Sequence, residues 1–183
     1  MKIELVIGID PGLIQTGIYY QNADGSFDLG TVNPFNYSDE QAEVGVFDRL
    51  TKRLNRIELD GEKRVVVGIE LPSHRNPQNK EARRMALSWY RWVEEMVSGA
   101  TIVFFIQPRE WQDELPPETV NGYISGLRRR TLVEKRKARS IEHFNSRPGR
   151  PKRSRLCIQD DVTDAFAIFE CARRRSYELV HGE

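Results

Sequence analysis

The sequence predicts an α/β fold: a mixed five-stranded sheet, in which an antiparallel meander is followed by parallel strands, flanked by helices. Three apolar segments lie within the first 32 residues and are separated by short turn signals, which favours antiparallel pairing. Two later apolar segments are each preceded by an amphipathic helical pattern, which favours right-handed crossovers and parallel pairing. The length of 183 residues and the 39% hydrophobic content are sufficient for a single domain over residues 1–183 with one core.

The first half of the chain contains the meander and one helix. Apolar patterns predict strands over residues 5–10, 16–20 and 27–32, the last of them after the turn signal Asp24-Gly25. Ser38 followed by Gln41 has the spacing of a capping box and predicts the start of a helix. The helical periodicity rests on Val44, Phe47, Leu50, Leu54 and Ile57.

The second half alternates between strands and helices. Strands are predicted over residues 64–71 and 101–106, and a helix over 82–96 carries Met85, Trp89, Trp92 and Met96 on one side. These four are predicted as core residues, with a dimer seam as the alternative. Thr131 and Glu134 predict a further helix that runs to about Phe144. A last helix starts near Asp160, and its apolar stripe is Ala165, Ile168, Phe169 and Ala172.

Composition narrows the function classes. No stretch resembles a signal peptide or a membrane span, so a cytoplasmic protein without membrane contact is expected. Cys157 and Cys171 have neither CxxC spacing nor a nearby His, which argues against a disulfide framework or a zinc site. The net charge of +1 conceals a basic segment at 128–155, which contains twelve Lys and Arg residues but only two acidic residues, Glu134 and Glu142. Such a segment suits a polyanionic partner.

Four carboxylates occupy unusual positions. Asp10 and Glu70 each end an apolar strand, and Asp161 and Asp164 lie three residues apart at a helix start, on one helix face. Taken singly, Asp10 could be a turn residue, and Asp160 and Asp161 could be helix caps. Taken together, they would repel one another without a cation, and their hard oxygen ligands suit Mg²⁺ or Mn²⁺. Two such ions about 4 Å apart can promote phosphodiester hydrolysis, so all four are candidate catalytic and metal-binding residues.

Four ordered segments carry a family resemblance: GIDPGLIQTG at 8–17, VVGIELP at 66–72, IQPREWQ at 106–112 and DDVTDAFAI at 160–168. They resemble the RuvC-type Holliday junction resolvases, particularly the divergent forms of phages and prophages. The resemblance implies an RNase H-like fold, a homodimer, Mg²⁺ dependence and paired symmetric nicks in four-way DNA junctions. It matches Asp10, Glu70, Asp161 and Asp164 to the family's metal ligands and leaves Asp160 as an extra acid.

The candidate DNA-binding residues are basic. Their alternative interpretation is a solvated helix face followed by a loop, and for His74 a structural or merely exposed residue. In the resemblance, Lys135 or Lys137 supplies the charge that the family places after its conserved Pro. The full set is His74, Arg75, Arg128, Lys135, Lys137, Arg150, Lys152 and Arg153.

Three other functions compete with junction resolution. A less specialised nuclease of the same fold could cut other branched DNA or RNA/DNA hybrids, and a catalytically silent protein could bind junctions without cutting them. The segment at 8–17 is also similar to the first phosphate loop of actin-like ATPases. Those enzymes need two lobes around the nucleotide, which makes this alternative the weakest for 183 residues.

Overall fold

The computed structural model of the chain describes residues 1–13, 15–32, 45–57, 62–73, 79–97, 99–114, 144 and 160–182. Within these ranges the strands are β1 (Lys2–Asp10), β2 (Thr16–Asn22), β3 (Phe27–Val32), β4 (Lys63–Glu70) and β5 (Thr101–Ile106). The helices are α1 (Val46–Leu54), α2 (Lys80–Met96), α3 (Pro108–Glu114) and α4 (Asp160–His181).

The five strands form one sheet in the order β3-β2-β1-β4-β5. β1 pairs antiparallel with β2, and β2 pairs antiparallel with β3, which makes the meander. β4 lies parallel to β1 on its other side, and β5 lies parallel to β4. The predicted mixed five-stranded sheet, with its antiparallel meander, parallel strands and flanking helices, is therefore confirmed.

Residues on alternate sides of the strands form two core clusters, one on each face of the sheet. We call the side covered by α1 and α2 the aliphatic face; its strand residues include Leu5, Ile7, Ile9, Val65, Val67 and Ile69, all without exposed surface. We call the opposite side the α4 face; its buried residues include Val6, Tyr19, Val66, Ile106 and Phe169. Each strand therefore supports two different layers of helices.

Helix α1 is shorter than the periodicity predicts. It begins at Val46 after the N-cap residue Gly45 and buries Val46, Leu50 and Leu54. The expected capping box of Ser38 and Gln41 lies outside the described residues. Ile57 follows the helix and is partly buried against the core of the aliphatic face.

The core residues expected on helix α2, Met85, Trp89, Trp92 and Met96, are partly buried, and other residues form its fully buried contact with the sheet. Ala86 and Val93 are its fully buried residues, whereas Trp89, Trp92 and Met96 are only partly buried beside them. Small residues at the contact let the helix approach the strands, and the large indoles are displaced to its flank. There Trp92 packs against Phe47 of α1, with ring centroids 4.9 Å apart.

Helix α4 follows its predicted pattern. The stripe Ala165, Ile168, Phe169 and Ala172 is buried against the sheet. Cys171, on the same helix, is buried, and Cys157 lies outside the described residues. Of the basic segment 128–155 the structure describes Phe144, which packs edge-on against Phe166 of α4 at 5.2 Å. No helix in the described ranges is long and apolar enough to cross a membrane.

Candidate active site

Asp10 and Glu70 stand side by side where two neighbouring parallel strands end. Ile9 of β1 pairs with Ile69 of β4, so the next residue of each strand lies at the same sheet edge. Because Val6 and Val66 belong to the cluster on the α4 face, strand alternation places Asp10 and Glu70 on that face as well. The two acids that the sequence singles out in strands therefore point to the same layer.

Glycines in three adjacent strands let α4 lie close against this face. Gly17 of β2 pairs with Asp10, and a methyl group added at Gly17 would overlap the backbone of Asp161. A methyl at Gly8 would lie 2.6 Å from the backbone nitrogen of Phe169, and one at Gly68 would lie 2.8 Å from the Cβ of Ala172. Any side chain at these positions would push the helix away.

The close approach brings the first turn of α4 to the strand ends that carry Asp10 and Glu70. Asp161 and Asp164 lie on this turn and are both half-buried. The backbone of Asp161 contacts Gly17, whose strand partner is Asp10. The structure thus brings all four acids to one region. The helix begins at Asp160, whose side chain is outside the described part of the structure.

The electrostatic environment of Glu70 links β4 to α4. Burial of the carboxylate raises the pKa of Glu70 to about 7, against the opposing effect of a hydrogen bond from Trp111. The negative charge of Asp164 raises the pKa of Glu70 further. Glu70 and Asp164 are therefore close enough to repel each other, and the charged form of Glu70 is costly as the side chains stand.

The Trp111 indole is the hydrogen-bond donor to Glu70. Its Nε1–H donates to Oε2 of Glu70 at 2.7 Å, and the indole is 3% exposed. The sequence alone predicts no such role for Trp111. The motif IQPREWQ contained the residue, but its acceptor lies 41 positions away, and only the pairing of β4 with β5 brings the two together.

Helix α3, which carries Trp111, is held at two places. The carboxylate of Glu110 accepts the backbone N–H of Gln107 at 3.0 Å, which satisfies a free donor at the start of the helix. The same carboxylate accepts a hydrogen bond from Arg175 of α4, also at 3.0 Å. The Arg175 guanidinium lies 5.9 Å from the centroid of the Phe104 ring on β5. α3 is thereby joined to both α4 and the sheet.

The donor set of this region fits a hard cation. All four acids offer carboxylate oxygens, the ligands that Mg²⁺ and Mn²⁺ prefer. Oδ1 of Asp164 is buried and accepts no hydrogen bond from the described residues, although Asp164 has other interactions. In the described ranges, no three Asp, Glu, His or Cys side chains are grouped so that they could hold a metal ion between them. The four acids therefore lie in one region, but they do not surround a single point.

The candidate DNA-binding residues lie outside the described part of the chain: His74, Arg75, Arg128, Lys135, Lys137, Arg150, Lys152 and Arg153. Leu71, the first residue after β4, is described. It is partly buried against the core of the aliphatic face, and its N–H donates to the carbonyl of Ile106 at 2.9 Å. Its side chain is therefore part of the packing at the strand end.

No protein-family model and no curated protein matches this chain. Among solved structures, it is similar to T. thermophilus RuvC in complex with a Holliday junction substrate, with a TM-score of 0.42 and 15% sequence identity. The superposition covers 95% of this chain and 96% of that chain. What this chain does must therefore follow from its own residues.

Proposed function

We propose that this protein is a metal-dependent nuclease that hydrolyses phosphodiester bonds in branched DNA, foremost in four-way junctions. The observation that supports it most is the meeting of Asp10 and Glu70, from adjacent parallel strands, with the first turn of α4. Acids that are far apart in the sequence share one partly buried region, where burial and, to a smaller extent, the negative charge of Asp164 raise the pKa of Glu70.

Asp10, Glu70, Asp161 and Asp164 would hold Mg²⁺ or Mn²⁺. Mg²⁺ is commonly bound through one or two carboxylates, with water and substrate phosphate as further ligands, so the site need not be closed by protein alone. The cation supplies positive charge that stabilises the reacting phosphate and lowers the pKa of the attacking water. The protein's own contribution would be to keep Glu70 and Asp164 close and partly desolvated, an arrangement whose repulsion a bound divalent cation would relieve.

The choice of DNA as substrate rests on the sequence. The four segments that resemble RuvC-type resolvases span residues 8–168, and the basic segment 128–155 would bind phosphates without reading sequence. A homodimer is part of the proposal, because paired cuts in a twofold-symmetric junction require two active sites related by the same symmetry. Membrane contact and a further domain are not part of it.

A cleavage assay on a panel of substrates tests the proposal. Labelled four-way junctions, forks, linear duplexes and RNA/DNA hybrids are incubated with the protein and either Mg²⁺ or a chelator. We expect paired symmetric nicks in the four-way junction with Mg²⁺ alone. Cutting of forks or hybrids in preference would instead indicate a less specialised nuclease, and binding without cutting would indicate a junction-binding protein.

Matched variants separate the acids of the site from acids elsewhere. Asp10→Asn and Glu70→Gln each keep the shape of the side chain and remove its charge; we expect cleavage to fall at least about 100-fold with junction binding retained. Glu4→Gln is the control, because Glu4 lies at the opposite end of β1 and pairs with Lys2 at 2.9 Å. Equal cleavage by all three variants would place the active site elsewhere.

A further inference from the structure

Trp111 combines deep burial with a hydrogen bond to an acid of the proposed active site. The indole lies in the core of the α4 face, yet its only polar atom donates to Oε2 of Glu70 at 2.7 Å. A buried donor of this kind needs an acceptor, and its bond to an ionised carboxylate is stronger than one between neutral groups. Packing alone does not require the indole N–H.

The helix that presents Trp111 is tied to the helix that presents the other two acids. Arg175 of α4 binds Glu110, the residue immediately before Trp111, at 3.0 Å. Glu110 also accepts the backbone N–H of Gln107, which fixes the first turn of α3. The indole donor and the carboxylates of α4 are therefore held in one connected frame.

We propose that Trp111 is a positioning residue that fixes the carboxylate of Glu70 so that it can bind the cation. The bond to Oε2 restricts rotation of the carboxylate, whose charge would then be held in place for the cation. This inference rests on the proposed function for its cation, but the hydrogen bond can be examined without any cleavage. Removal of the hydrogen-bond partner of a metal ligand typically lowers metal affinity or activity by about 10- to 100-fold.

The chain provides a matched control within its three tryptophans, Trp89, Trp92 and Trp111. Trp89 also donates an indole hydrogen bond, to Oγ1 of Thr16 at 3.3 Å, but it belongs to the core of the aliphatic face. Trp111→Phe and Trp89→Phe therefore make the same chemical change on opposite faces of the sheet. Replacing Trp111 by benzothienylalanine, which substitutes sulfur for the N–H, removes the donor with almost no change in shape.

Nuclear magnetic resonance tests the hydrogen bond directly. The indole N–H resonance of Trp111, assigned by its loss in Trp111→Phe, should move in Glu70→Gln and on addition of Mg²⁺ to the wild type. The resonance of Trp89 should stay in place in both experiments. A Trp111 resonance that responds to neither change would overturn the proposal, whether or not the protein cuts DNA.

A cleavage assay tests the functional consequence of the Trp111 hydrogen bond. In Trp111→Phe and in the benzothienylalanine protein, the Mg²⁺ concentration for half-maximal junction cleavage should rise about 10- to 100-fold, with junction binding in chelator unchanged. Trp89→Phe should match the wild type. If Trp111→Phe also matches it, the positioning role is wrong. If the wild type cuts no branched DNA, the proposed function fails, and the Mg²⁺ response of the Trp111 resonance still decides the inference.

Discussion

The two faces of the sheet use the same strands in opposite ways. On the aliphatic face, β1 and β4 contribute Ile7, Ile9, Val67 and Ile69, which fill the space beneath α1 and α2. On the α4 face, the intervening positions are Gly8, Asp10, Gly68 and Glu70. One face stabilises the fold through side-chain volume. The other has glycine at Gly8 and Gly68, so that the backbone of α4 and its acids come close to the strand ends.

Within a single strand, residues on one face therefore contribute to stability, and residues on the other face contribute to the proposed reaction. A residue and its immediate neighbour in β1 have opposite requirements, because one must fill a core and the other must leave room for α4. We expect substitutions on the aliphatic face to change the free energy of unfolding without altering the reaction. Substitutions on the α4 face should change both.

Ile7→Ala should have the largest effect on stability. Ile7 has no exposed surface, and loss of its side chain leaves a cavity in the aliphatic face, so the free energy of unfolding should fall by about 4 kcal/mol. Urea denaturation gives the value, and the cleavage rate per folded molecule should equal that of the wild type. A normal stability, or a lost reaction in the folded protein, would contradict the division between the faces.

Glu70→Gln should stabilise the cation-free protein at alkaline pH. The pKa of Glu70 is about 7 in the folded protein, raised chiefly by burial from its ordinary value of 4.5. Below pH 4.5 the residue is protonated in both the folded and the unfolded states and costs nothing. As the pH rises toward 7, the unfolded chain loses the proton first, which destabilises the folded state by about 3 kcal/mol at most.

The corresponding measurement compares the two proteins by urea denaturation in chelator between pH 4 and pH 8. Glu70→Gln should resemble the wild type at pH 4 and exceed its stability at pH 8, because the amide oxygen still accepts the Trp111 hydrogen bond without carrying charge. A stability difference that does not vary with pH would show that Glu70 ionises normally. Glu4→Gln serves as the control.

Gly8→Ala should disturb both the stability and the site. The added methyl would overlap the backbone of α4 at Ala165 and Phe169, so the free energy of unfolding should fall by about 2 to 3 kcal/mol. Junction cleavage should fall too, because Asp161 and Asp164 move with the helix. Gly45→Ala is the control, since nothing lies within 4 Å of the added methyl, and its cost should be below about 1 kcal/mol. Equal behaviour of the two variants would argue against the close approach of α4.

Arg175→Gln should have the smallest effect on stability. Its ion pair with Glu110 is about one-third exposed on both sides, so the loss should be below about 1 kcal/mol. Cleavage should nonetheless decrease modestly, because α3 and Trp111 lose one of their two attachments. Denaturation and cleavage measured on the same preparation check this, and a large loss of stability without any change in cleavage would contradict it.

The sheet could be predicted because each strand carries a local signal. Phe27–Val32 and Thr101–Ile106 agree with their predicted bounds, since turn residues and β-branched runs mark strand ends within a few positions. The apolar stripe on α4 could be predicted for the same reason, because its helical periodicity is a local signal in the sequence. In α2, the periodicity predicts the helix itself. It does not predict that Ala86 and Val93 form the contact with the sheet, because that contact depends on how closely the helix approaches the strands.

The site was only partly predictable. Asp10 and Glu70 stood out because a charge at the end of an apolar strand is unusual, and parallel pairing then sets them side by side. Gly8 and Gly17 give no comparable signal. Their role in the close approach of α4 can be recognised only when the position of that helix is known. Trp111 was missed for the same reason, because the acceptor of its hydrogen bond comes from another strand.

The most direct test of the central claim is the position of a bound cation. Crystals of the protein soaked in Mn²⁺ should give an anomalous diffraction peak between the carboxylates of Asp10 and Glu70 and the first turn of α4. Asp10→Asn crystals treated in the same way should give a weaker peak or none. A manganese ion bound at another surface, with these acids uninvolved, would contradict the proposed active site.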